Sequence, residues 1–402
     1  MRSKRTGGRA GLTLRGYFDL ASKSDRFKDQ RDNFKYYVFG LFGEVGGLLA
    51  AFKKERRDAI GLSQTEREFV SEEIGDALWY LMHAADRAGI HPDQLGMATL
   101  QWLKETHQAT LSRRRSVIDF AELDRAAASI RPKGKKKDSA LLRQLASHCG
   151  TLVGRSRDEV TPDVVIQHFG AMLGLLAAAT HGWGLSTGEI ALENLAKIRD
   201  RWPGKNPKYI DLFDDKFEPH EQLPRKRFTV EYVERKRGDM AYVAQSIQGI
   251  AIGDPLTDNN HQDDGYRYHD VFHLSYAVHL GWSPVIRALL KRKRKSNSRI
   301  DTNEDGARAN IIEEGIATWI FNYADYNKFA QINEGDLDFS LLKQVRKIVR
   351  SYEAEKCPLW QWERAILNGM HVFKALYENR GGLVTVDIPR RKMTYSTNKR
   401  KA

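Results

Sequence analysis

The chain has 402 residues, 65 Lys and Arg against 52 Asp and Glu, and a net charge of +13. This length exceeds a single small module, and 41% hydrophobic residues suffice for a buried core; the longest nearly unbroken apolar run, 171–180, is about half of what a bilayer crossing needs. The basic start leads into no apolar signal core, and Cys149 and Cys357 stand far apart without a CxxC partner, which argues against a disulfide framework or a thiolate zinc site and leads us to expect a soluble, cytoplasmic protein without membrane contact.

Apolar residues three and four apart predict helices over 37–52, 68–88, 93–103, 141–153, 163–181 and 187–201. Gly89, Gly184 and Pro203 read as their stops. Segments rich in Pro, Lys or Asp at 131–138 and 202–225 are the expected linkers, giving units at 1–135, 136–215 and 216–402. Residues 78–90 align with 173–185 when Gly89 is laid on Gly184. A duplicated four-helix unit accounts for the echo, because paired hairpins bury a seam that one leaves open; chance likeness between amphipathic helices is the competing explanation.

Glu44 sits among apolar and glycine residues in Leu41-Phe42-Gly43-Glu44-Val45-Gly46-Gly47-Leu48-Leu49, and Glu73 and Asp76 lie three apart on one face of the next helix, a face that continues into Tyr80 and His83. Carboxylates converging from two helices form an oxygen-rich cage for a hard divalent ion. Glu72 and Glu73 near a helix start are also favoured by the helix dipole alone. Lys53, Lys54, Arg56 and Arg57 follow the first motif, either as a solvated helix end or within reach of a triphosphate.

The pattern GEVGGLLAAFKK followed by EEIGDALWYLMHAADRAG resembles the MazG-type, all-α nucleoside triphosphate pyrophosphohydrolases, over about residues 30–205. The resemblance implies a Glu-x-x-Glu and a Glu-x-x-Asp binding Mg²⁺, with Mn²⁺ an alternative, and cleavage of a (d)NTP to (d)NMP and pyrophosphate. It assigns Glu44, Glu73 and Asp76 as metal ligands with Glu72 as a supporting carboxylate, and Asn194, Lys197 and Arg201 as nucleotide contacts. Our own candidates beside it are Glu72 as the catalytic base, because it neighbours the ligands without being needed as one, with Glu73 also catalytic, and Lys53 and Lys54 as further substrate contacts. One position departs: Gly47 stands where the family carries its second Glu, leaving three of four acids. In the second repeat His148, His168 and Ala171 take the places of Glu44, Glu73 and Asp76, so one repeat is expected to supply metal ligands and the other, through Asn194 and Lys197, the grip on phosphate.

The last third brings together His269, Asp270 and His273 in DDGYRYHDVFHL, and Glu313 and Glu314 in IIEEGIATWIF. The spacing of four between the histidines suits metal binding or acid–base work; satisfied polar groups in a helical core are the plainer reading. No glutamate base follows His269, so the zinc-protease motif HEXXH is not matched. Residues of about 228–385 resemble the C-terminal domain attached to MazG-like modules, which places the chain by association with nucleotide-pool control or anti-phage defence. An alternating pattern over 380–389 predicts a small β-hairpin.

The expected fold is therefore mainly α: tandem four-helix MazG-like units, then a mostly helical C-terminal domain with a hairpin. The leading expectation is a Mg²⁺-dependent nucleoside triphosphate pyrophosphohydrolase, with a homo-oligomer compatible with the sequence. A nucleotide sensor with a depleted site and an effector domain is the first alternative. Nucleic-acid binding through the basic runs at 133–137, 287–299 and 389–401 comes last, since those runs also read as solvated loops and no recognition helix or stacking module accompanies them.

Overall fold

Each helix expected in the first half forms over its predicted span, usually with a few residues added. The computed structural model describes residues 11–58, 64–109, 117–130, 138–155, 159 and 161–398. It divides into two units, 1–199 and 200–402. The basic run at 133–137 lies outside the described residues, as does nearly all of the first expected linker.

The first unit contains α1 (Leu14–Ala21), α2 (Phe34–Asp58), α3 (Gln64–Arg87), α4 (Pro92–His107), α5 (Phe120–Ala128), α6 (Asp138–Val153), α7 (Pro162–Gly182) and α8 (Thr187–Arg201), whose last two residues fall in the second unit. Neither α1 nor α5 was predicted; both are short, and both start at a side-chain cap, Thr13 accepting from the Gly16 N–H and Asp119 from the Glu122 N–H. The hairpin α2–α3 packs beside the hairpin α6–α7, α2 on α6, while α4 lies on α7. Leu41, Leu48, Ile74, Leu78, Leu81, Leu145, Phe169, Met172 and Leu176 fill the seam.

The two aligned glycines end their helices alike. After α3, Gly89 (φ +89°) bonds to the Asp86 carbonyl and Ile90 to that of Ala85; after α7, Gly184 (φ +68°) bonds to His181 and Leu185 to Thr180. These are the same left-handed helix stop at matched positions. Gly75 on α3 admits Asn194 of α8, whose Cβ would lie 3.1 Å from a methyl at Gly75, and its counterpart Gly170 on α7 admits Ala98 and Thr99 of α4 at 3.1–3.2 Å. Each closing helix thus crosses the other hairpin at a glycine.

The second unit surrounds a buried helix. Strands β1 (Phe228–Arg237), β2 (Met240–Ile247), β3 (Ile250–Ala251), β4 (Gly381–Asp387) and β5 (Lys392–Ser396) form one antiparallel sheet in the order β3-β2-β1-β4-β5. The predicted hairpin is β4–β5; the other three strands were not foreseen, although β1 alternates inward Val230 and Tyr232 with outward Glu231 and Val233. Helices α9 (Asp270–Leu280), α10 (Pro284–Leu289), α11 (Ser298–Asn303), α12 (Ala307–Tyr326), α13 (Phe339–Ile348) and α14 (Leu359–Glu378) complete the unit. Every residue of α9 is buried. It packs on α14, where Gly369 makes room for the Phe272 ring and the Ser275 hydroxyl donates to the Ala365 carbonyl.

Two expected loops are built into this unit. The segment 202–225 has no helix or strand but buries Asp214 and Leu223, Asp214 accepting from Arg287 at 2.6 Å, Arg225 at 2.6 Å and the Leu223 N–H. The basic run 287–299 is only partly surface: Arg287 is buried on Asp214, and Arg294 is buried between Asp305 and Glu353, both at 2.8 Å. In the run 389–401, Arg391 points inward, donating to the carbonyls of Ile210, Val278 and His279. Three arginines of these two runs, Arg287, Arg294 and Arg391, are thus spent on internal bonds, whereas Lys291, Lys295, Arg299 and Arg390 are exposed. No helix among the described residues is long and apolar enough to cross a membrane.

Candidate functional site

Two clusters of chemistry-bearing side chains stand out, one in each unit. In the first, Glu44 projects from α2, and Glu72, Glu73 and Asp76 project from α3. The side chains of Glu44 and Glu73 are hydrogen-bonded to each other. Glu73 occupies the space that Gly47 leaves: a Cβ on Gly47 would fall 1.7 Å from Glu73 Oε2. The Glu73 carboxylate therefore lies in the room that a side chain at Gly47 would need.

From α8, Asn194 and Lys197 reach the same group. Asn194 Nδ2 donates to Asp76 Oδ1 at 2.9 Å while its carbonyl accepts from the Tyr17 hydroxyl at 2.8 Å. Lys197 Nζ bridges Asp76 Oδ2 at 2.5 Å and Glu72 Oε1 at 2.8 Å. Burial, then the charges of Asp76 and Glu73, push Glu44 up to about 8, and burial and Asp76 move Glu73 upward too. Against the cost of burial, Asp76 and Glu72 hold the Lys197 ammonium above its ordinary value.

Sequence reasoning placed Tyr80 on the face of Glu73 and Asp76 but missed Tyr17. Tyr17 is wholly buried and holds Asn194; Tyr80 lies against Gly40, where any Cβ would enter its ring at 2.3 Å. Nothing in the local pattern LRGYFDLA marks Tyr17 as a partner of a residue 177 positions away.

Other predicted contacts are dispersed. Lys53 is exposed, and Lys54 pairs with Glu66 at 2.9 Å; the Arg56 side chain is outside the described set. Arg201, expected on substrate, is buried and bound to both Glu363 oxygens and to the carbonyls of Gly335 and Leu337. A guanidinium held by a buried carboxylate is not available to a nucleotide. In the second half, His148 and His168 meet at 2.9 Å through Nδ1 atoms, as Glu44 and Glu73 meet in the first.

The second cluster lies where α9 starts beneath the sheet. His273 Nδ1 stands 2.9 Å from Glu313 Oε1, both side chains fully buried, and His273 Nε2 stands 3.3 Å from Glu314 Oε2. His269 Nε2 is 3.5 Å from both Glu314 Oε2 and Asp270 Oδ1. All five predicted residues of this segment come together. Among the described residues, His269, His273 and Glu314 form the one group of three His, Cys, Asp or Glu whose ligand atoms lie within 4.8 Å of one another; Glu44, Glu73 and Asp76 do not close that far. Burial works against it, but Glu313 and Glu314 raise the His273 imidazolium well above its ordinary value, and bonds from His269 and His273 hold Glu314 far below the usual carboxylate range.

Residues 208–399, nearly the whole second unit, match the family model of the MazG C-terminal domain. The match likens the second part of this mainly α chain to a domain associated with MazG proteins. A 92-residue stretch, 23% of this chain, is 28% identical to 71% of the Gene 37 protein of Mycobacterium phage L5. No solved structure matches.

Proposed function

We propose that the first unit binds a nucleoside triphosphate together with a divalent cation and hydrolyses it to the monophosphate and pyrophosphate. The observation that carries this reading is the convergence of Glu44, Glu73 and Asp76 from two helices with Asn194 and Lys197 from a third. An all-oxygen donor set suits Mg²⁺ or Mn²⁺, which bind through a few carboxylates and keep waters and phosphate oxygens as their remaining ligands. Lys197 already places one cationic group between Asp76 and Glu72, so the pocket accepts positive charge.

Glu44, Glu73 and Asp76 would hold the cation, which neutralises phosphate charge and acidifies a bound water. The chain's own groups do the rest. Lys197 and the Asn194 amide orient phosphate oxygens and stabilise the leaving pyrophosphate. Glu72, tied to Lys197, is assigned to positioning that ammonium and not to the role of base expected from the sequence. Tyr17 fixes the rotamer of Asn194.

The test is incubation with a panel of NTPs and dNTPs, with Mg²⁺, Mn²⁺ or chelator, and separation of products by ion exchange. Metal-dependent monophosphate and pyrophosphate, lost in Glu73→Gln, is the expected result. The Asp76–Lys197 ion pair favours one second reading, a sensor that binds nucleotide without cleaving it, which saturable binding without products would establish.

A further inference from the structure

We propose that the second unit carries its own site for a divalent transition-metal ion of the zinc class, bound by His269 Nε2, His273 Nε2 and the Glu314 carboxylate. Zinc bonds of about 2.0–2.1 Å to nitrogen and oxygen, at tetrahedral angles, hold ligand atoms roughly 3.3–3.4 Å apart. The observed separations of 3.3 Å and 3.5 Å from Glu314 Oε2 to the two histidines are those of such an edge.

The imidazoles are also presented in the correct sense. His269 Nδ1 stands 2.9 Å from the Tyr266 carbonyl, which can only accept, so the proton resides on Nδ1 and the Nε2 lone pair is left for an ion. The Tyr266 ring stacks on the His269 imidazole at 4.3 Å and its hydroxyl meets Thr318 at 2.6 Å, fixing the ring plane. His273 Nδ1 lies 2.9 Å from Glu313 Oε1, close enough for a charge contact but without the alignment of a hydrogen bond, and Glu313 is itself anchored by the Ser283 hydroxyl at 2.6 Å and the Val285 N–H at 2.9 Å. A carboxylate behind the far nitrogen of a ligating histidine is the usual outer support of a metal centre.

A second, independent observation points the same way. The hydroxyls of Tyr276 and Tyr232 are wholly buried and have no hydrogen-bond partner among the described residues. The Tyr276 ring lies edge-on to His273 with centroids 6.3 Å apart, and Tyr232 pairs across the sheet with Gln245, which donates to Asp270; both rings thus border this cluster, where an ion's water ligands would satisfy their hydroxyls. Glu314 is 44% exposed while both histidines are almost fully covered, so one side of the ion stays open to water or a phosphate oxygen. That is the arrangement of a reactive centre and not of a closed structural one.

Two nitrogen ligands and one oxygen select zinc-like ions over Mg²⁺ or Ca²⁺, which sets this centre apart from the all-carboxylate group of the first unit. An ion on His273 Nε2 would take the place of the proton that this nitrogen otherwise directs at Glu314.

The experiment uses the full chain, stripped with chelator and titrated with Co²⁺ as a coloured stand-in, then with Zn²⁺ as competitor. One equivalent of Co²⁺ with visible bands of a four- or five-coordinate ion, displaced by Zn²⁺ but not by Mg²⁺, is expected. Glu314→Gln and His269→Ala should each weaken uptake by roughly 10–100-fold or more, with unchanged circular dichroism, while Glu73→Gln leaves the Co²⁺ spectrum as it was. The absence of saturable uptake in the micromolar range, or uptake equal to wild type in both variants, would overturn the proposal. Nucleotide turnover is not read in this assay, so the two sites stand or fall separately.

Discussion

Replacing Gly47 with Ala separates stability from function at the first site. On its own, Gly→Ala inside a helix stabilises by about 1 kcal/mol. The new Cβ would lie 1.7 Å from Glu73 Oε2 and 2.7 Å from Cδ, but 3.5 Å from Cγ, an ordinary contact. Only the carboxylate tip must swing away, and swinging away also relieves its crowding with Glu44 and Asp76. The variant should therefore be as stable as wild type or up to about 1 kcal/mol more stable, which for a unit of this size raises Tm by about 2–4 °C. Mg²⁺ affinity should fall by roughly 10–100-fold, because a proposed ligand has been moved. Thermal melts beside Mg²⁺ titration calorimetry and product chromatography read both quantities. Unchanged Mg²⁺ affinity and turnover would refute the claim that the space at Gly47 shelters a working Glu73; a Tm drop of several degrees would show that more than the tip must move. Gly47→Glu, which restores the four-acid pattern on paper, should behave as a further loss and not as a repair.

Other consequences follow from the same geometry. Glu44 has a folded pKa raised from 4.5 to about 8; its contribution to stability is full below about pH 4.5 and is lost as pH rises to about 8. Metal-free protein should accordingly melt at a lower temperature at pH 8 than at pH 5, Mg²⁺ should restore much of the difference, and Glu44→Gln should flatten the profile; a flat wild-type profile would contradict the crowding. Arg201→Ala strands the buried Glu363 and should cost about 3–5 kcal/mol in urea denaturation, with nucleotide affinity of the remaining folded protein unchanged. Asn194→Ala leaves the Tyr17 hydroxyl and Asp76 short of a partner, costing about 1–3 kcal/mol, and should weaken nucleotide binding measured by fluorescence titration; full affinity in that variant would remove Asn194 from the site.

Helical period and glycine stops made most of the first unit legible, because α2, α3, α4, α6, α7 and α8 are long enough for the 3.6-residue repeat to repeat itself. Helices α1 and α5 escaped for want of length. Strands β1 and β2 escaped because their inward faces mix polar with apolar residues: Tyr232 and Gln245 are paired across the sheet, and Gln245 Nε2 donates to Asp270 at the start of α9 at 2.5 Å. The acids and histidines announced themselves by type and spacing. What the spacing could not reveal was partnership over distance: Tyr17 with Asn194, Ser283 with Glu313, Arg201 with Glu363. Nor could it show that Glu73 of the neighbouring helix fills the room beside Gly47.

The paired glycine crossings have a thermodynamic corollary. At Gly75 the crossing helix brings Asn194 beside Asp76; at Gly170 it brings Thr99, and the residue matching Asp76 is Ala171, buried and apolar. Two identical halves assembled from separate chains would necessarily offer two equal binding events, free to help or hinder each other. Joined in one polypeptide and unequal, they would offer one on the proposed reading. Titration with nucleotide should then saturate at a single equivalent per chain, and any cooperativity seen at higher protein concentration must arise between molecules.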